Sequence, residues 1–166
     1  TGLARSVLAQ LAALHSADAL EIVLISADRS RPLAERNAEW SWLGWLPQVR
    51  PGHGQDCRLL LAHDREQATA RALELLRRLD DRLADEARSG AHPPQAPTDP
   101  DPATPATGTA RRQPSRVRPG EGTDPADGFS GPFTVVVVDG DPGGADVREA
   151  VTRLALEGPR AGIHVV

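Results

Sequence analysis

Residues 133–138 read Phe-Thr-Val-Val-Val-Val, the most apolar run in the chain, and Asp139 closes it. β-Branched side chains favour extended backbone. A strand with no polar alternation is stable only where both of its faces are covered. Helices must then lie on both sides of the sheet, which requires parallel strands joined by helical crossovers. Two more short apolar runs are predicted as strands, Glu21–Ser26 (EIVLIS) and Arg58–Ala62 (RLLLA), and Gly162–Val166 (GIHVV) begins a fourth.

The intervening segments carry helical periodicity. Leu3, Val7, Leu8, Leu11 and Leu14 predict an amphipathic helix over Leu3–His15. Pro32 suits the first turn of a short helix reaching about Glu39. Asp64, with Gln67 three residues on, reads as a capping box opening a helix from Arg65 to about Arg88. Its apolar stripe is Ala68, Ala72, Leu75, Leu76, Leu79 and Leu83. Val147–Glu157 is a further helix, ended by Gly158-Pro159. Strands alternating with helices define an α/β fold with a parallel sheet flanked by helices. Between the second helix and the second strand lies WSWLGWLP, which holds Trp40, Trp42 and Trp45 within six residues. Tryptophan this dense either closes an edge of the core or meets a partner.

Ser89–Gly131 is different in character. It holds nine of the 15 prolines and six of the 15 glycines, and its larger apolar residues are Val117 and Phe129. Such a segment buries too little surface to offset its ordering entropy and reads as a disordered insertion. Arg111, Arg112, Arg116 and Arg118 form a small basic cluster in it, read as part of a solvated spacer. The expected organisation is one domain in two parts, residues 1–88 and 132–166, interrupted by residues 89–131. The absence of Met implies that Thr1 is not a natural start and that the chain is an excised piece. All 19 basic residues are Arg, a compositional bias that fits a GC-rich genome.

Several classes of function are excluded. One cysteine, Cys57, allows no internal disulfide and no cysteine-based zinc cluster. A net charge of −4 argues against a domain that coats nucleic acid. No run approaches the ~18 apolar residues of a membrane span. His15, His53, His63 and His92 share no metal-ligand spacing with carboxylates, and His164 sits inside a strand pattern and reads as structural.

Ligands of open α/β sheets bind beyond the carboxyl ends of the strands, where Asp139-Gly140-Asp141 lies. A buried strand ending in Asp is how a P-loop NTPase presents its Walker B carboxylate to Mg²⁺, though such an Asp also caps ordinary turns. The matching phosphate cradle would open a helix. The first helix opens Thr1-Gly2-Leu3-Ala4-Arg5-Ser6, in which Arg5 and Ser6 stand where a phosphate loop has Lys and Ser/Thr.

The order of these features resembles the FtsK/SpoIIIE family of P-loop ATPases. RLALEGPRAGIHVV is similar to the family segment RxGRxxGIHLxLATQ that follows its Walker B strand, and TGLARS to its TGSGKS loop. WSWLGWLPQVRP resembles the WxxWLPH stretch of the first, degenerate ATPase-like domain of actinobacterial EccC proteins, the motor of type VII secretion. The resemblance covers both ordered parts and not the insertion. It implies a RecA/FtsK-type P-loop fold with Gly2, Arg5, Ser6 and Asp139 as nucleotide-binding positions. Ser6 and Asp139 would be the Mg²⁺ positions and ATP the cofactor. It further implies a cytoplasmic domain of a membrane-associated, oligomeric protein. The expected partners are other ATPase domains of the same chain, a protein at Trp40, Trp42 and Trp45, and, by family alone, DNA.

The departures point to decay. The family's catalytic Glu follows the Walker B Asp, and here that position is Gly140. A well-placed general base is worth ~10²–10⁴ in rate. Arg5 replaces a compact ammonium with a planar fork, and Ala4 adds a Cβ where backbone must approach phosphate. The expected function is a degenerate nucleotide-binding domain with little or no hydrolysis of its own. The alternatives are an active ATPase completed by a neighbouring subunit, or a metal-dependent transferase or phosphatase using Asp139 and Asp141. Cys57 reads as an inert small residue.

Overall fold

A computed structural model of the chain describes residues 2–90, 129 and 131–166. The basic cluster and nearly all of the expected insertion lie outside the described residues. Those described build α1 (Gly2–Leu14), β1 (Leu20–Ile25), α2 (Leu33–Trp40), two 3₁₀ turns (Ser41–Trp45, Pro47–Val49), β2 (Leu61–Ala62), α3 (Arg65–Gly90), β3 (Phe133–Val138), α4 (Ala145–Glu157), a 3₁₀ turn (Gly158–Ala161) and β4 (Ile163–Val165).

The four strands form one all-parallel sheet in the order β2-β1-β3-β4. The Val-rich run is a central strand between β1 and β4, buried over Thr134–Val137. Side-chain alternation divides the core in two. Leu20, Ile22 and Leu24 of β1, with Val135 and Val137 of β3, pack against Leu8 of α1, Trp40, Leu43 and Val49. Val23, Ile25 and Val136 pack against Ala72, Leu75 and Leu79 of α3 and Val147, Ala150 and Leu154 of α4. Each fully buried Leu or Ile contributes roughly 2–3 kcal/mol. A one-residue slip of β1 against β3 would exchange the two sets of side chains, so the register is strongly specified.

Three elements differ from the sequence expectation. Only Leu61 and Ala62 of the Arg58–Ala62 run pair as strand, because the Leu60 amide donates to the carbonyl of Val49 in the preceding 3₁₀ turn. The Asp64 carboxylate caps the Gln67 amide at 2.8 Å, but the Gln67 side chain returns to the amide of His63 rather than of Asp64. The chain enters β4 through Gly162, whose left-handed φ of +66° ends the 3₁₀ turn, so the strand begins at Ile163.

The tryptophans part company. Trp40 is 1% exposed and belongs to the core, Trp42 is half-buried, and Trp45 is 87% exposed. Trp40 therefore cannot line the partner face expected for all three residues. Among the described residues no helix is long and apolar enough to cross a membrane.

Candidate functional site

The chain leaves β1 toward β2 on one side and returns through α3 to β3 on the other. The switch point of the sheet thus lies between the carboxyl ends of β1 and β3, where open parallel sheets form their ligand crevice. Ser26 follows β1 and Asp139 follows β3, on the same face by alternation and side by side in register after the Ile25–Val138 pair. The Asp139 amide extends the ladder, donating to the carbonyl of Ile25 at 2.9 Å.

Asp139 is 9% exposed, and its carboxylate collects donors from three directions. The Ser26 hydroxyl donates at 2.9 Å and the Trp40 indole Nε1–H at 2.8 Å, both to Oδ2. Arg31, in the loop between β1 and α2, spans both oxygens with Nη1 at 3.2 and 3.3 Å. Its Nη2 bonds Glu39 at 2.5 Å, and this contact above all holds the guanidinium charged. Arg36, itself buried, donates to the carbonyls of Ser26 and His63 and to that of Arg31. It ties the ends of β1 and β2 to the loop that carries Arg31.

The next position strains any side chain placed there. Gly140 has φ +77°, and a Cβ there would lie 2.5 Å from Asp28 Oδ2. Asp28 accepts the Ser30 amide at 2.8 Å, and this bond keeps its carboxyl below the usual range. Asp141 turns away from Asp139. Its Oδ1 accepts the Gly143 amide at 3.1 Å and Arg148 Nε at 3.3 Å, which lower its pKa in that order. Asp141 thus stabilises its own turn, and among the described residues no group of three or more His, Cys, Asp or Glu side chains is placed to share a metal ion.

The remaining sequence-predicted site residues lie on α1. Its first six residues include Gly2, Arg5 and Ser6. Arg5 is exposed, and the Ser6 hydroxyl donates to the Gly2 carbonyl of its own helix at 3.1 Å. Among the described residues none of the three bonds to Asp139. As packed, Ser6 and Asp139 do not fit a Mg²⁺ ion. Oδ2 accepts from Ser26, Trp40 and Arg31 and Oδ1 from Arg31 alone, so a metal ion at this carboxylate would have to displace the guanidinium.

Ser26, Arg31 and Trp40 were not legible as partners of Asp139, nor Glu39 as a partner of Arg31. Only Ser26 carries a sequence signal, its place on the face shared with Asp139. His164 is exposed on β4 beside Phe133, ring centroids 6.0 Å apart, and touches nothing of the site. Cys57 receives Arg71 Nη1 at 2.8 Å, and burial pushes its thiol pKa up.

The fold and the site define a parallel α/β domain whose switch-point carboxylate is closed by its own chain. Comparison of the chain with family models, curated proteins and solved structures finds no match.

Proposed function

We propose that this chain is a degenerate nucleotide-binding-like domain of an FtsK/SpoIIIE-type P-loop motor, with a structural or regulatory coupling role and no turnover of its own. The observation that carries the reading is the pair Asp139-Gly140. A buried central parallel strand ends in a carboxylate, as a Walker B strand would, and the following position holds Gly140 in a left-handed φ of +77° that would strain the Glu that hydrolysis needs. Nucleotide binding on this reading is weak or absent. The partners would be active ATPase domains of the same protein, with the exposed Trp45 at the docking face. The parent would be an oligomeric, membrane-associated motor of type VII secretion or DNA translocation, with this domain on the cytoplasmic side.

Calorimetric titration of ATP and ADP, with and without Mg²⁺, tests the proposal. Weak binding lost on Ser6→Ala, or no heat up to millimolar nucleotide, is expected, with no phosphate release in either case. Steady ATP hydrolysis by the isolated domain, abolished by Asp139→Ala, would overturn it.

A further inference from the structure

We propose that Arg31 is the resident counter-cation of Asp139, standing in the place a divalent metal would take and making the switch-point carboxylate metal-independent. This deepens the preceding reading by naming what replaces the metal. It stands or falls on metal binding, whereas that reading stands or falls on nucleotide.

The guanidinium is held between two carboxylates, Asp139 on one side at 3.2 Å and Glu39 on the other at 2.5 Å. A divalent ion shared by two carboxylates would balance the same charges. Arg31 is also fixed from behind, since Arg36 Nε donates to its carbonyl at 3.3 Å while Arg36 is anchored to β1 and to His63. Its side chain is 34% exposed against 8% for Asp139, so Arg31 lies on the solvent side of the buried carboxylate.

A metal would have to displace this arrangement. Mg²⁺ demands near-octahedral oxygens and usually keeps several waters. Two cavities, of about 350 and 710 Å³, are lined by other residues and not by Asp139. A guanidinium needs no hydration shell inside the site, and here Nη1 reaches both Asp139 oxygens while Nη2 bonds Glu39. Removing it would take away the positive charge that Asp139 now accepts from.

Mn²⁺ is the probe, followed by electron paramagnetic resonance and water-proton relaxation. The wild-type protein is expected to bind no Mn²⁺ in a manner sensitive to Asp139→Asn. Arg31→Met is expected to gain one site, with affinity raised by about tenfold or more once the facing positive charge is gone. Adding Asp139→Asn to Arg31→Met should abolish that site. Wild-type Mn²⁺ binding lost on Asp139→Asn would overturn the proposal, as would a folded Arg31→Met protein with no gain. Should Arg31→Met fail to fold, the indole N–H resonance of Trp40 in the wild type decides. It is expected to stay unmoved through millimolar Mg²⁺, and a saturable shift would refute the assignment.

Discussion

Replacing Asp139 with Asn changes almost no volume and removes the charge on which the switch point converges. An Asn side chain offers one acceptor oxygen and one NH₂. With its amide oxygen in the Oδ2 position it keeps Ser26 and Trp40 as neutral hydrogen bonds, and its NH₂ then faces the Arg31 guanidinium in place of Oδ1. Ser26 and Trp40 are 0% and 1% exposed, so water cannot make up for the weaker bonds. Hydrogen bonds to a charged acceptor are worth ~1.5–3 kcal/mol each and neutral ones about 1 kcal/mol, so each of the three donors loses roughly 1 kcal/mol. The net destabilisation is then about 2–4 kcal/mol, which lowers Tm by roughly 10 °C in a domain of this size. Urea unfolding followed by tryptophan fluorescence, with thermal unfolding by circular dichroism, measures it. An Asn variant as stable as the wild type, or more stable, would refute the reasoning. That is the behaviour of a carboxylate kept for chemistry at the expense of stability.

Gly140→Ala should cost about 1–3 kcal/mol, because it combines a left-handed φ of +77° with a Cβ contact at 2.5 Å from Asp28. Thermal melts should show Asp28→Ala recovering only the contact part of that loss. Glu21, 5% exposed at the start of β1, is ion-paired to Arg78 and accepts Gln55 Nε2 at 3.2 Å. Glu21→Ala strands the Arg78 charge and should cost about 3 kcal/mol, read as a shift in urea midpoint. Arg78 keeps Glu74 at 3.4 Å, which holds the loss toward the lower end for such pairs. Burial first, and Arg36 second, lower the His63 imidazole below its ordinary 6.5, and its Nδ1 is buried without a partner. The unfolded chain therefore takes up a proton near 6.5 while the folded chain does not. Stability should fall as the pH drops below about 6.5, by at most ~1.4 kcal/mol per pH unit, and level off below the folded value. A pH series of urea midpoints should show His63→Gln flattening that window.

Element types were largely legible because they rest on local periodicity. The Val run, the EIVLIS strand and the α3 stripe each occupy a few consecutive turns or residues, and their hydrophobic period alone separates strand from helix. The Arg58–Ala62 run misled because only its last two residues are strand: the Leu60 carbonyl still accepts the Leu24 amide of β1, but the Leu60 amide turns to Val49. The tryptophan segment was recognisable as unusual, but its density could not say which ring faces inward. That depends on where α2 ends relative to the sheet, and α2 ends so that Trp40 points its indole N–H at Asp139.

Hydrophobic pattern was therefore sufficient for a parallel α/β sheet with a carboxylate delivered to its carboxyl edge. Local periodicity dictates the strands, and strands apolar on both faces demand helices on both sides. The state of that carboxylate was a matter for the folded chain. Its donors come from Ser26, Arg31 and Trp40, which stand 113, 108 and 99 residues away in sequence. No local pattern encodes such a meeting. The strand order and the packing of α2 bring an arginine, an indole and a hydroxyl onto Asp139, and desolvation then makes each of those bonds strong enough to close the site.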